Sequence, residues 1–392
     1  MVKSLKVALV SETYFPQING VSRTLERLVE HLRAEGHRVH LFIPDYGDGC
    51  PEQQEGLEVS AFKSWRLPNY PEIHLPVVRP ATLRRHLQRT APDLMHVATE
   101  GPLGWAALHA ARCLKIPVVS SYHTNFAQYL DSYRLKAAEG LAWRYLRWFH
   151  NRTGATFCPT PSIRKMLEDR GFSTVRVWSR GVDSQAFHPD GRCPGVRKSW
   201  GFADDEVVFL YCGRLAVEKN LALLMEAFAQ LESPRARLLI IGDGPLMATL
   251  KAGGDPRVVF AGYRQGEELA RLYACADVMA FPSLSETFGN VMLEAMASGL
   301  PVIGFDVPGP KDVIQNGLTG ELLADVSSRA LRDSMRRLLE DVDHRRKLGR
   351  NARIYAERQN WSRINGVVSD GYARCLLSQG LDGAGVIRPA SV

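Results

Sequence analysis

The chain has 392 residues, of which 45% are hydrophobic and 23% charged, and a net charge of +7. That length and balance predict two globular domains with sizeable cores and exclude a disordered protein. No run of about eighteen apolar residues occurs, so no bilayer-spanning helix is expected. The seven cysteines are scattered without a C-x-x-C, which excludes a disulfide framework and points to a cytoplasmic chain.

Lys6–Val10 reads as a first buried strand; its apolar run is too short for a secretory signal and has no small-residue cleavage site. The turn Phe15-Pro16-Gln17-Ile18-Asn19-Gly20-Val21 leads into a helix with Leu25, Leu28, Val29 and Leu32 on one face and Gly36 at its end. At that turn Gly20 permits close approach of a phosphate or sugar to the backbone. Arg38–Ile43, Leu94–Val97, Val118–Ser121 and Thr156–Cys158 follow as short strands with helices between them. Just past the third of these stands His123, a polar residue at a strand end, readable as catalytic or as structural. Phe187 to Gly195 carries two prolines and two glycines and reads as the linker between domains spanning 1–186 and 187–380. A second series of strands follows at Val207–Tyr211, Leu238–Ile241, Val258–Phe260, Val278–Phe281 and Val302–Phe305. A helical stretch runs from about Ser327 to Leu377, and residues 381–392 read as a frayed tail. Short buried strands alternating with helices predict an α/β protein of two Rossmann-like domains facing a cleft, with ligands at the carboxyl ends of the strands.

Three strand-end segments carry chemistry. In Ser285-Glu286-Thr287-Phe288-Gly289-Asn290-Val291-Met292-Leu293-Glu294, an acidic loop with Gly289 opens a helix. The helix start offers amides to a phosphate. Eight residues of helix would set Glu286 and Glu294 about 12 Å apart, suiting the two ends of an elongated polyhydroxyl ligand. In Gly213-Arg214-Leu215-Ala216-Val217-Glu218-Lys219-Asn220, two cations five residues apart suit a diphosphate. Such cations can stabilise a departing nucleoside diphosphate without a metal. Gly242-Asp243-Gly244-Pro245 is either a phosphate-side turn or a plain tight turn; Pro245 is placed to begin the helix after it. Asp341-Val342-Asp343 has the D-x-D form of metal-dependent transferases, but it interrupts charged helices and reads as a solvated turn. No other metal-ligand spacing occurs.

Together these segments resemble glycosyltransferase family four, retaining enzymes of the GT-B fold, over nearly the whole chain from Val7 to about Tyr372. The resemblance implies that Glu294 binds the donor ribose, Glu286 the donor sugar, and Arg214 and Lys219 the diphosphate. The backbone around Phe288, Gly289 and Asn290 would assist, with Gly20 and Gly242 lining the donor and His123 beside the reacting sugar. Within the family, Pro16–Val21, Ala98–Gly104, Trp178–Asp183 and Arg214–Asn220 look most like bacterial GDP-mannose-dependent α-mannosyltransferases and sulfoquinovosyl- or glucosyl-lipid synthases. The implied donor is GDP-mannose, with a UDP-hexose as the alternative, and neither cofactor nor metal is expected.

Two basic stretches bear on the acceptor. Arg79 to Arg89 carries four arginines and a histidine without an acid, and Ala142 to Arg152 interleaves aromatics with arginines. Either can rest on an anionic membrane, which favours a lipid-linked over a glycan acceptor and a peripheral location. Packed aromatics with solvated arginines would give the same pattern. No nucleic-acid recognition motif accompanies the charge. A sugar-nucleotide epimerase and a non-catalytic nucleotide-sugar-binding protein are the rival functions: the first needs no acceptor and the second makes no product.

Overall fold

The computed structural model describes residues 4–17, 19–67, 70–123, 136–284, 286 and 288–378. The expected frayed tail at 381–392 lies outside them, as do Ile18, Thr124–Phe126, Ser285 and Thr287.

The chain divides into two compact units. In the first, strands β1 (Lys6–Val10), β2 (Arg38–Pro44), β3 (Leu57–Phe62), β6 (Leu94–Val97), β7 (Val118–Ser121), β8 (Thr156–Cys158) and β9 (Val175–Val177) form a parallel sheet. Its order is β3-β2-β1-β6-β7-β8-β9, and β4 (Ser64–Leu67) with β5 (Tyr70–Pro76) adds an antiparallel hairpin. In the second, β10 (Val207–Cys212), β11 (Ala236–Ile241), β12 (Val258–Gly262), β13 (Val278–Phe281), β14 (Val302–Phe305) and β15 (Gly320–Leu323) are also parallel. Their order is β12-β11-β10-β13-β14-β15.

Buried on both faces, the central strands β10, β13 and β14 read as continuous apolar runs, as covered parallel strands do. Every residue of β10 is buried. Alternation sends Val208, Leu210 and Cys212 to one face with Leu239, Ile241 and Met279. Val207, Phe209 and Tyr211 go to the other with Leu238, Ile240 and Ala280. Fully burying each large apolar side chain contributes about 1.5–3 kcal/mol before the entropy cost of ordering it is set against it.

The division differs from the expected domains. It falls between Ser179 and Arg180, before residue 186, and the chain rejoins the first unit at Ser362. The segment expected as a linker is built into the second unit. There Arg192 donates to the Ala276 carbonyl at 2.9 Å and Arg197 to the Cys275 carbonyl at 2.7 Å. The last helix, Trp361–Ser378, returns because Ile364, Val368, Tyr372 and Cys375 complete the core around Val7, Leu9 and Phe157. A helical period reveals an apolar stripe but not which sheet will cover it.

His96, which the motifs did not single out, ties that helix in. Its Nδ1 lies 2.7 Å from the Tyr372 hydroxyl and its Nε2 2.6 Å from Ser121 Oγ. Burial lowers its pKa from 6.5 to about 3. The unfolded chain therefore takes up a proton that the folded chain refuses. Stability is whole above the unfolded pKa of 6.5 and falls with acidification toward 3. The slope is on the order of 1.4 kcal/mol per pH unit. Denaturant titrations between pH 7 and 4 should show this loss, and His96→Asn should flatten it; parallel slopes would refute the assignment.

Among the described residues no helix is long and apolar enough to cross a membrane.

Candidate active site

In an open parallel sheet, ligands favour the carboxyl ends of strands where the strand order reverses. In the second unit the order reverses between β10 and β13. The loops after these two strands are Gly213–Asn220 and Pro282–Gly289, so Arg214, Lys219, Glu286 and Gly289 all come to the switch point.

The first loop is pinned from both sides. Leu215 N–H donates to the Asp243 carbonyl at 2.9 Å, and Leu246 N–H to the Leu215 carbonyl at 3.0 Å. The Tyr211 hydroxyl donates to the Arg214 carbonyl at 2.9 Å, while the Arg214 side chain is exposed. A short 3-10 turn, Val217–Lys219, brings Lys219 back over the sheet, and Asn220 takes a left-handed conformation at φ 54° to start the helix Leu221–Ala229. The Asn220 amide reaches the Pro282 carbonyl at 3.4 Å, linking the two loops.

Lys219 and Glu286 form an ion pair, with side chains 20% and 19% exposed. Ser283 Oγ, wholly buried, donates to the same Glu286 oxygen at 3.4 Å. A third loop closes on the backbone and Cβ of Glu286. Gly309 is at φ 97°, and a Cβ there would lie 2.8 Å from the Glu286 carbonyl oxygen and 2.9 Å from its Cβ. Glycine is thus required for the close approach. Ser283 and Gly309 were not among the expected site residues; Gly309-Pro310 is only a helix-start signal in the sequence.

Phe288 is buried in the core and anchors the loop with its ring. Gly289, at φ 84°, is the N-cap of the helix Asn290–Ala297, and that position makes no side-chain hydrogen bond. Glu294 is the fifth residue of this helix. It therefore lies only about 6 Å along the axis from Asn290, because Glu286 to Gly289 is loop. The expected full two helical turns between the carboxylates are not there. One Glu294 oxygen accepts from the Tyr273 hydroxyl at 2.9 Å.

Gly242 has a packing role that the motif left open. At φ 133°, a Cβ on it would lie 1.9 Å from the Gly213 carbonyl oxygen. The helix after this turn begins at Met247, two residues later than Pro245 would suggest, because Leu246 N–H is drawn to Leu215. Asp341 caps the helix Val342–Glu357, accepting from His344 N–H at 2.8 Å. That bond accounts for Asp341, the first acid of the D-x-D form, as a helix cap.

In the first unit the order reverses between β1 and β6, and internal groups fill the helix starts there. Asn19 Oδ1 accepts from Val21 and Ser22 N–H, each at 2.9 Å. Glu12 accepts from Gly101 at 3.0 Å, Leu103 at 2.7 Å and Gly104 at 3.4 Å, at the start of the helix Pro102–Leu114. Burial pushes the Glu12 carboxyl up, against the lowering pull of the Leu103 amide. Sequence reasoning missed Glu12, whose partners lie 89 to 92 positions away. His123, just past β7, is 5% exposed, with its ring 5.4 Å from that of Trp178.

Gly20 opens the helix Gly20–Ala34, and a Cβ added there meets nothing within 4 Å. Among the described residues nothing demands glycine there. Gly20→Ala should leave stability unchanged or raised by up to about 1 kcal/mol. If a donor approaches this backbone, turnover should fall at least about tenfold, on the order of 1.4 kcal/mol in the transition state. Full turnover would remove Gly20 from the site.

Residues 18–186 match the model of Glycosyltransferase Family 4, and residues 195–355 that of Glycosyl transferases group 1. The chain is 37% identical over 322 residues to a GDP-mannose-dependent alpha-mannosyltransferase of Mycobacterium tuberculosis, covering 81% of this chain and 84% of that one. It is 33% identical over 369 residues to a sulfoquinovosyl transferase of Arabidopsis thaliana, covering 92% and 71%. Among solved structures, the sucrose-phosphate synthase of Thermosynechococcus elongatus superposes with a TM-score of 0.77 at 22% identity, covering 95% and 100%.

Proposed function

Since the chain belongs to glycosyltransferase family 4, we propose that it moves mannose from GDP-mannose onto a lipid-linked or glycan acceptor, with retention and without a metal. The observation that carries this reading is the pairing of loops at the second unit's switch point. They bring Lys219, Glu286 and the start of the helix Asn290–Ala297, which has glycine at its N-cap, to neighbouring strand ends. Lys219 and Arg214 would take the diphosphate, Glu286 the sugar hydroxyls and Glu294 the ribose. The Lys219–Glu286 pair would open for the donor, giving the lysine a phosphate and the carboxylate a hydroxyl. Departure of the diphosphate builds charge that preorganised cations and amides stabilise. The acceptor hydroxyl would attack from the face the diphosphate leaves, its proton passing to the departing phosphate. His123 is assigned to the reacting sugar on resemblance.

Similarity to the mycobacterial mannosyltransferase supports mannose from GDP-mannose, and that to the plant sulfoquinovosyl transferase supports a different transferred sugar, with a UDP-sugar donor as the second reading. A thermal-shift screen with GDP-mannose, UDP-glucose and UDP-sulfoquinovose, in EDTA, separates them. A donor at a hundredfold excess over its Kd adds about 2.7 kcal/mol of stability. A shift with GDP-mannose and an α-mannoside product in EDTA is the expected result. A shift with a UDP-sugar alone overturns the donor, and product only with added metal overturns metal independence. Release of an altered free sugar from donor and enzyme alone would mean an epimerase.

A lipid acceptor and peripheral membrane contact belong to the same proposal. On the helix Pro80–Thr90, Leu83 and Leu87 are buried while Arg84, Arg85 and Arg89 are exposed. On the helix Lys136–His150, Leu146 and Phe149 are buried, Arg144 and Arg147 exposed, and Leu141 is 69% exposed. The tryptophans of this segment are not free: Arg170 lies 4.5 Å over Trp143 and Arg152 4.3 Å over Trp148. Arginine near an anionic surface is worth about 1 kcal/mol each. Co-sedimentation with phosphatidylglycerol vesicles, but not phosphatidylcholine ones, should weaken at least tenfold in Arg84→Glu/Arg85→Glu. No binding to either vesicle would overturn the membrane contact.

A further inference from the structure

We infer that Tyr273 is a positioning residue for the donor: its buried hydroxyl holds the Glu294 carboxylate in the rotamer that receives the ribose hydroxyls. This rests on the ribose role proposed for Glu294.

Tyr273 lies in the last turn of the helix Gly266–Cys275 and is wholly buried. Its ring packs edge-on against Phe187 with centroids 5.3 Å apart, so packing fixes where the hydroxyl sits. The hydroxyl meets a Glu294 oxygen at 2.9 Å and also bonds the Cys212 side chain at the end of β10. Burial, with Cys212 and Glu294 beside it, raises the phenol well above its ordinary range. It therefore stays protonated at working pH and can only donate to the carboxylate.

Glu294 is half-buried on a neighbouring helix. An unrestrained glutamate there would sample several rotamers and would have to be ordered by the ligand. A fixed phenol removes that freedom before the ligand arrives, as supporting hydrogen bonds do for other binding carboxylates. The core needs only an aromatic ring at 273. The hydroxyl is needed by the carboxylate.

The test compares GDP with 2′-deoxy-GDP by calorimetry on the full-length protein, or UDP with 2′-deoxy-UDP if the donor screen selects uracil. Wild type should prefer the ribonucleotide by about tenfold, the scale of one hydrogen bond to a charged group. Tyr273→Phe should weaken the ribonucleotide about three- to tenfold and the 2′-deoxynucleotide, which keeps only the 3′-hydroxyl, clearly less, so the ratio falls. Equal weakening of both nucleotides would mean that the tyrosine serves the fold alone, and would overturn the inference. Glu294→Gln separates the two layers. If it keeps the preference, or wild type has none, the ribose role of Glu294 fails. If it erases the preference while Tyr273→Phe keeps it, only the Tyr273 inference fails. Should Tyr273→Phe not fold, Cys212→Ala is the second variant, since it leaves the phenol–carboxylate bond in place. It should keep the ratio, and a collapse there would tie the loss to packing and overturn the assignment.

Discussion

Glu286→Ala should lower turnover by about a thousandfold, on the order of 4 kcal/mol of transition-state stabilisation. Its effect on folding should be far smaller. The Lys219–Glu286 pair is about one-fifth exposed on each side. Pairs of this kind contribute from near zero to about 1 kcal/mol at surfaces and more only when dry. The released lysine can also turn to water. Activity and stability should therefore separate clearly, which distinguishes a residue acting on the donor from one bracing the loop. Glu286→Gln sharpens the test. It keeps an acceptor for Ser283 Oγ but not the charge that balances Lys219 and draws the sugar hydroxyls. The glutamine variant should fall nearly as far as alanine. The lysine tests the other half of the pair: Lys219→Ala should weaken donor binding and turnover together, since it loses a charge contact present in both ground and transition states. Measurements would use the donor that raises the wild-type midpoint. Turnover of Glu286→Ala within tenfold of wild type would remove the carboxylate from the reaction.

Much of this site is written in local sequence, and what is hidden has a common cause. Val278–Phe281 and Val302–Phe305 are strands of four buried residues, legible because a strand covered on both faces is a plain apolar run. The β3 segment, Leu57–Phe62, buries only its two end residues. It gives a mixed pattern that reads as loop, and β9 and β15, buried only over their first one and two residues, give no clear apolar run either. The charged loops after β10 and β13 were legible as donor-binding candidates. That Lys219 and Glu286 touch follows only from β10 and β13 being neighbours, which no spacing of 67 positions encodes. Glu12 and Tyr273 were hidden for the same reason. A glutamate after a first strand looks solvated until the helix start it caps is folded beside it. A tyrosine among Leu269, Leu272 and Ala276 looks like core, and its ring is core. Only its hydroxyl belongs to the site. Gly242 was legible as special, but the Gly213 backbone it packs against across the turn was not.

Gly242→Ala should therefore destabilise the second unit by about 2–5 kcal/mol, combining about 1–2 kcal/mol for the strained φ with about 1–3 kcal/mol for forced contact. The added Cβ would meet the Gly213 carbonyl oxygen at 1.9 Å and its carbon at 2.9 Å. These are backbone atoms at the end of a buried strand and cannot swing aside. Gly213 N–H is held by the Ile241 carbonyl at 3.0 Å, and Gly242 N–H by the Gly262 carbonyl at 2.9 Å. Relief must come from parting the ends of β10 and β11. Parting them moves the loop that carries Arg214 and Lys219, because Leu215 is bonded to Asp243 across the same gap. Donor affinity and the denaturation midpoint should consequently fall together. This differs from Gly20→Ala, where a loss of turnover should leave the midpoint intact. A Gly242→Ala protein with a wild-type urea midpoint and weakened donor binding would reverse the conclusion. Gly242 would then be a donor contact in its own right, and the approach of Gly213 would be incidental. A fallen midpoint with affinity preserved at low temperature would mean that the crossing of the two turns holds the fold but not the site.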